Sequence, residues 1–355
     1  MTIQQWDEAA IPKRPGLYIN FKKAAEAIVG GSRGTVGLPI FKFDGTIEAD
    51  KFAVIETEVD AIELLGEDNA APAVLALQGG AKDVLVYAVP DAEIDEETGK
   101  ITADFAGIRD AFESRDFNVF TYGLAVGEEV DADTKDWRER NGNEKKHFFY
   151  VTGGTDEEDA DEELSNSRTA LLRDEGTVNL TKGGSLGSRK YHSGQYAAYL
   201  AGLIAGTPLN ASITYAEVSL SDVNYRMKNK EVVDALEAGS LVLVHDGDVV
   251  KVEQGITTSG DKIRKVAVRH AVATDIEKTA RRHWVGKITN SDAGQAAIIG
   301  GIKTYLETVE AAEVLTDIDV HKSTRFESKD DVFYVDIAYT ELDSMERILL
   351  TISPN

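Results

Sequence analysis

Between residues 83 and 181, short apolar runs of strand type alternate with stretches of helical pattern, and this alternation constrains the fold more than any other feature of the sequence. The strand-type runs are residues 83–89, 117–122, 147–152 and 176–181. Helical pattern separates them over 102–114, with apolar residues at Phe105, Ile108 and Phe112, and over the polar stretch 128–140. Upstream, the glycine-rich segment 24–40 ends in Thr35-Val36-Gly37-Leu38-Pro39-Ile40, a buried strand flanked by turns, and 59–65 and 71–77 read as helices. Strands joined through helices favour a parallel arrangement, because a parallel pair needs a crossover of about a dozen residues or more. The fold class is therefore α/β, with a partly parallel sheet.

Downstream, Ala197-Ala198-Tyr199-Leu200-Ala201-Gly202-Leu203-Ile204-Ala205-Gly206 is apolar on nearly every side of a helix, which requires burial against close neighbours. Residues 241–245 and 249–253 flank Asp246-Gly247, a two-residue hairpin signal. The polar, turn-rich 255–262 marks a boundary. Beyond it come a mixed-charge helical stretch around 263–283, a helix over 292–309, and extended segments over 332–339 and 348–353. At the other end, Arg14-Pro15-Gly16-Leu17-Tyr18-Ile19-Asn20-Phe21 alternates after a Pro-Gly start, as an arm or edge strand does. The expected organisation is an extended N-terminal arm (1–22), an α/β core (23–258) and a mixed α+β C-terminal domain (259–355) that ends in a strand arm from about residue 346. Extended ends cannot satisfy their backbone groups alone, so they must pair within the fold or with another subunit.

Charge is distributed unevenly. The 62 acidic and 38 basic residues give a net charge of -24, of which -15 falls in residues 91–175. Its densest run, Asp156-Glu157-Glu158-Asp159-Ala160-Asp161-Glu162-Glu163, lacks the spaced ligands and turn glycine of a calcium loop and reads as a solvated helix face or loop. By contrast, residues 261–287 carry Lys262, Arg264, Lys265, Arg269, Lys278, Arg281, Arg282 and Lys287 against Asp261, Asp275 and Glu277. A chain this acidic repels phosphate backbones, so nucleic acid is not an expected partner. The absence of cysteine excludes disulfides, thiolate metal sites and cysteine nucleophiles. No run reaches the 18 or so apolar residues of a membrane helix, and residues 1–14 lack the apolar core of a signal peptide.

One catalytic pattern is present. Gly183-Gly184-Ser185-Leu186-Gly187 fits the G-x-S-x-G turn of a serine hydrolase, with Asp222 and His245 or His270 able to complete the order Ser, Asp, His. That turn works only where a strand passes sharply into a helix, and the helical signal here does not begin until about Ser193. The six histidines are scattered singly, and no phosphate-loop or dinucleotide fingerprint occurs, so neither metal nor cofactor is expected.

Three ordered segments carry a family likeness. The N-terminal arm followed by Ser32-Arg33-Gly34-Thr35-Val36-Gly37-Leu38-Pro39, the run from Ala197 through Pro208 to Asn210-Ala211-Ser212-Ile213-Thr214, and Trp284-Val285-Gly286-Lys287-Ile288-Thr289-Asn290 leading to a final strand pair (332–339 and 345–352) together resemble the contractile tail sheath proteins of bacteriophages. The likeness is to the compact type found in simple phages, defective prophages and phage-tail-like bacteriocins. It implies a structural subunit rather than an enzyme, with serine hydrolysis at Ser185 as the alternative. It also implies six-membered rings stacked helically around a tail tube, assembled in the bacterial cytoplasm into a virion tail or tail-like particle, with tube, baseplate and terminator proteins as partners. On that reading Pro15, Gly16, Leu17, Tyr18 and Ile19 at one end, and Ile348, Leu350 and Ile352 at the other, lend strands to neighbouring subunits. The acidic 91–175 stretch would lie on the outer, solvated side, and the basic residues of 261–287 would face the tube or a neighbour.

Overall fold

Thr35–Ile40 forms β1, a central strand of a six-stranded sheet, in a computed structural model of the chain that describes residues 33–94 and 101–353. The chain continues through β2 (Phe52–Ile55), α1 (Glu58–Leu65), α2 (Ala71–Gly79) and β3 (Asp83–Ala88). A two-residue pair, β4 (Glu93–Ile94) and β5 (Ile101–Thr102), precedes α3 (Phe105–Glu113), β6 (Val119–Phe120), α4 (Glu128–Asn143) and β7 (Phe149–Gly153). Two short acidic helices, α5 (Asp156–Ala160) and α6 (Glu162–Leu171), then lead to β8 (Thr177–Leu180). The sheet order is β2-β3-β1-β6-β7-β8. Every neighbouring pair is parallel except β2 with β3, so the expected α/β layer is present and its one antiparallel strand sits at an edge.

Period-two alternation sorts the two faces of the sheet by side-chain type. Val84, Val86, Val119, Phe149 and Val151 point to an aliphatic core shared with α1 and α2, while Tyr87, Phe120, Phe148 and Tyr150 point to an aromatic one shared with α3 and α4. In the aromatic core Phe112 meets Phe120 edge-on at 5.2 Å, and Phe117 meets Phe148 at 4.8 Å. The helix starts are set by local chemistry: Thr57 and Asp60 cap α1 reciprocally, as Thr155 and Glu158 cap α5.

After β9 (Gly184–Leu186) and β10 (Arg189–Tyr191), the small-residue helix α7 (Ser193–Gly206) packs against α2 backbone to backbone. A Cβ at Gly202 would stand 1.9 Å from the Ala76 carbonyl oxygen, and one at Gly206 2.0 Å from that of Gly80. Only glycine permits that approach. Next come β11 (Glu217–Val218), β12 (Asp222–Val223), α8 (Asn229–Ala238), β13 (Leu243–His245), β14 (Val250–Val252) and α9 (Ile263–Thr279). In the β13–β14 hairpin His245 pairs with Val250, and the Asp246 amide donates to the Val249 carbonyl, so the chain reverses at Gly247-Asp248, one residue beyond the expected Asp246-Gly247.

Two compact units divide within α9. The larger comprises the described residues up to Thr274 together with those from Glu341 onward, and the smaller is Asp275–Thr340. In the smaller unit a π-helical turn (Ala280–Trp284) is followed by α10 (Asp292–Ala311), β15 (Leu315–Lys322) and β16 (Val335–Glu341). Its core is formed by Trp284, Ile302, Tyr305, Leu306, Val314 and Leu315, with the Tyr305 hydroxyl donating to Asp275 at 2.6 Å. β15 and β16 form a sheet of only two strands, and no residue of β16 is fully buried.

This corrects the expected final strand pair. β16 pairs with β15, whose strand character is masked in the sequence by Asp317, Asp319 and His321 at alternate positions, and not with residues 345–352. Residues 342–353 run as irregular chain and pair with no strand of the described residues.

Candidate interaction surfaces

The segment that follows β16 is anchored at its root and exposed beyond it. Glu341 accepts from Arg269 Nε at 2.6 Å and Nη2 at 3.1 Å, Asp343 lies 3.7 Å from Lys265 Nζ, and Glu346 pairs with Lys262 Nζ. Glu346 sits deepest. Its carboxylate also accepts from Gln254 Nε2 at 2.9 Å and Thr214 Oγ1 at 2.7 Å, and its side chain is only 11% exposed. Burial pushes the Glu346 carboxyl up, but the donors from Lys262, Gln254 and Thr214 outweigh it and hold the group below its ordinary value. Past this anchor the side chains of Ile348, Leu349, Leu350 and Ile352 are 67%, 95%, 80% and 83% exposed. The arm residues Pro15, Gly16, Leu17, Tyr18 and Ile19 lie outside the described residues.

The structure thus gives in-chain partners to much of the basic stretch expected to face the tube or a neighbour. Lys262, Lys265 and Arg269 hold the tail root, and Arg269 also approaches Glu175 at 3.4 Å. Arg264 is buried and donates from Nε to the Leu209 carbonyl at 3.3 Å. Lys278 is exposed on α9. Around the π turn, Arg281 pairs with Glu277 at 2.6 Å yet stays 70% exposed, Arg282 and Lys287 are exposed, and the Lys287 ammonium donates to the Arg282 carbonyl. The sequence did not single out Gln254, Glu341, Asp343 or Glu346, and it offered Thr214 only as the end of the 210–214 run. The available signal was a pair of complementary patterns, K-x-x-K-x-x-x-R at 262–269 and E-x-D-x-x-E at 341–346.

The acidic run is also not a wholly solvated face. Asp159 is fully buried and ties three segments together, accepting from the Gly183 amide at 2.9 Å, the Ser193 amide at 2.8 Å and the Ser193 hydroxyl. Beside it, Glu158 accepts from Arg168 Nη2 at 2.5 Å, and Arg168 Nη1 pairs with the fully buried Asp131. The Asp131 carboxylate accepts in addition from Tyr150 at 2.5 Å and Thr152 at 2.9 Å, joining α4 and α6 to β7. Two adjacent acids of α5 therefore act as inward staples, whereas Asp156, Glu157 and Glu163 are exposed.

Burial pushes the Asp159 carboxyl up to about 6 against its hydrogen-bond donors. The folded state accordingly holds a proton that the unfolded chain, near 3.8, has released. This group contributes stability that is present below about pH 4 and lost as pH rises to about 6, worth on the order of 3 kcal/mol. Asp159→Asn should remove that slope. Urea midpoints at pH 4 and 6.5 are expected to differ less in the variant than in the wild type, and an unchanged difference would refute the assignment.

Ser185 does not sit on a hydrolase elbow. It lies in β9, paired with Lys190 of β10 and Asp222 of β12, and the turn at Gly187 (φ 60°) leads back into a strand rather than into a helix. The Asp222 carboxylate is taken by Arg226 at 3.1 and 3.2 Å, and His245 Nδ1 accepts from the Gly247 amide. His270 is stacked 5.3 Å from His147, where burial pushes its pKa down to about 3. Among the described residues no group of His and acidic side chains could hold a metal ion.

Two family models match in tandem: the phage tail sheath protein central domain over residues 98–258, and the phage tail sheath C-terminal domain over residues 257–354. The chain belongs to the phage tail sheath family. It is a structural sheath subunit and not an enzyme. A tail sheath protein of Clostridium phage phiCD119 is 25% identical over 187 residues, which cover 46% of this chain and 52% of that relative, so this sheath chain spans about half the length of the curated relative it matches. The sheath tail protein of Desulfitobacterium hafniense superposes with a TM-score of 0.69 at 18% identity, covering 92% of this chain and 100% of that one. The helical sheath of the anti-feeding prophage in its contracted state gives a TM-score of 0.73 at 13% identity, over 97% and 100%. At these identities the likenesses establish the fold.

Proposed function

We propose that this sheath subunit polymerises with copies of itself into stacked six-membered rings around a tail tube, and that the lattice shortens to drive the tube through a bacterial envelope. The observation that carries the reading is the C-terminal segment: anchored through Glu346, it then presents Ile348, Leu350 and Ile352 at alternate positions, all largely exposed. A row of that spacing falls on one face of an extended chain, the form in which a strand is added to another sheet. The two-stranded β15–β16 sheet, too small to be self-sufficient, is the acceptor we assign. The contracted state in which the anti-feeding prophage sheath was solved supports shortening as the working step.

Contacts that repeat head to tail without closing produce helical assemblies, the symmetry that a tube demands. Energy for contraction would be stored at assembly, since a few hundred Å2 of additional apolar burial per subunit, at ~25 cal/mol per Å2, supplies several kcal/mol each. Assembly in the bacterial cytoplasm, and association with baseplate and terminator proteins at the two ends, complete the reading. Electron microscopy of the purified chain tests it directly: rings or tubes are expected, and a persistent monomer at high concentration with tube protein present would overturn it.

Within the basic stretch, Arg281 and Arg282 are the groups assigned to the tube or to a neighbour's acidic surface, because Lys262, Lys265 and Arg269 are engaged within the chain. Pairs of this exposed kind are individually weak and can be released as rings expand. Arg281→Glu with Arg282→Glu should weaken co-assembly with tube protein by about tenfold while leaving the monomer's melting curve in place. Unaltered co-sedimentation would remove the assignment.

A further inference from the structure

The contacts at the tail root form an ordered series. Reading along the tail, Glu341, Asp343 and Glu346 meet Arg269, Lys265 and Lys262 in turn, so the segment runs antiparallel to the start of α9. The last of these contacts is a built pocket. Thr214 lies in the loop after α7, Gln254 follows β14 and Lys262 precedes α9; each presents a donor to the same carboxylate, and the Glu346 side chain is the least exposed of the three acids. Between the acidic residues Leu342 and Ser344 are half-buried and Met345 is 82% exposed, with no strand pairing over 342–346.

We propose that this series is a releasable clasp that sets how much of the C-terminal segment is free to reach another copy of the chain. The proposal rests on the reading that the segment joins copies. With the clasp closed, the free segment begins at Arg347; with it open, five further residues, 342–346, are released. At roughly 3.4 Å per extended residue these add about 17 Å of reach without unfolding any helix or strand. Charge pairing suits such a device. The middle pair, Lys265 with Asp343, is about one-third accessible on both sides and so weak and screened by salt over about 8 Å at physiological ionic strength, while Arg269 and Lys262 are also in part accessible to ions. The pairs can open one at a time, while the three-donor pocket around Glu346 fixes a single closed position. A lattice whose subunits change separation needs a link of adjustable length, and the clasp supplies it as its pairs open.

The native chain has no cysteine, so two spin labels can be placed in the full-length monomer without background, at Asn210→Cys beside the α9 start and at Met345→Cys inside the clasp. Both positions are exposed. The expected result is one narrow distance at low salt. In 1 M salt, or with Lys262→Glu, the distribution should broaden and extend by up to about 17 Å. The charge swap Lys262→Glu with Glu346→Lys should restore the narrow peak, which also guards against a variant that merely misfolds. A distribution insensitive to both salt and Lys262→Glu, or a swap that rescues nothing, would overturn the proposal. Failure of the arm reading itself would show differently, as normal polymers from a chain cut after Glu346 with the clasp distances unaltered.

Discussion

A chain cut after Glu346 is expected to fold as the full-length protein does and to lose long polymers altogether. The described residues of the segment removed, 347–353, are irregular, and Ile348, Leu349, Leu350 and Ile352 are two-thirds exposed or more, so the folded monomer has little to lose. The clasp residues Glu341, Asp343 and Glu346 all remain. What disappears is a row of three large aliphatic side chains, Ile348, Leu350 and Ile352, each worth about 1.5–3 kcal/mol when fully buried. Added to these are the main-chain hydrogen bonds of one strand per subunit. Ordering the segment costs about 1–2 kcal/mol per residue of backbone entropy, so the net gain per link is small and an assembly depends on many links together. Losing the apolar row from every subunit at once should therefore abolish the lattice instead of shortening it. Sedimentation and electron microscopy would read the loss of polymer, and a matched thermal midpoint would show that the fold is intact. Normal-length polymers from the cut chain would refute the role given to this segment.

The second large effect lies in the buried acid network. Asp131→Ala should destabilise the larger unit by about 3 kcal/mol, toward the lower end of the 3–5 kcal/mol typical for breaking a buried pair, because the charge left behind is not wholly abandoned. Arg168, 4% exposed, would keep its contact with Glu158 at 2.5 Å and lose the one with Asp131. Tyr150 and Thr152 would lose their shared acceptor as well, leaving two buried hydroxyls without that partner. The control is to remove the charges together: Asp131→Leu with Arg168→Met should cost less than Asp131→Ala alone, since apolar residues of similar volume commonly replace a buried ion pair at little penalty. Chemical denaturation of the three chains decides the matter, and a double variant less stable than the single one would reject this account of the site.

The sequence foretold the sheet and its covering helices where apolar periodicity was long enough to read. α3 was visible because Phe105, Ile108 and Phe112 fall at helical spacing, and α7 because small residues crowd its whole circumference. β2 was not, since it is four residues long and Val54 is 54% exposed, so it offers neither a run nor an alternation. β15 was hidden by its aspartates, one of which, Asp317, takes a left-handed backbone at φ 56° within the strand. α5 and the start of α6 were hidden by composition: the eight residues 156–163, with Ala160 the one apolar member, look like solvent-facing chain, and nothing local reveals that Asp159 and Glu158 turn inward to Ser193 and Arg168.

The interaction surface was legible in part for a related reason. Charge surplus identifies a cationic face but not its occupant, because a partner more than 70 residues away in the same chain leaves no local trace. Lys262, Lys265 and Arg269 therefore looked like a surface awaiting another molecule, when each already has a carboxylate from residues 341–346. The Gly-x-Ser-x-Gly motif failed in the opposite sense. Its residues are present, but Gly187 turns the chain back into β10, and the chemistry needs the strand-to-helix geometry rather than the letters.

The glycine contacts between α2 and α7 have a mechanical consequence. Where one helix rests its backbone on another, with Gly202 against Ala76 and Gly206 against Gly80, there is no room at the point of contact for a side chain that could change rotamer and take up a displacement. A close-packed interior of that kind transmits load as a stiff block. On the reading proposed above, load carried by the C-terminal segment would be taken up in the irregular residues 342–353 sooner than in this block, leaving those residues as the spring and the sheet with its helices as the anvil.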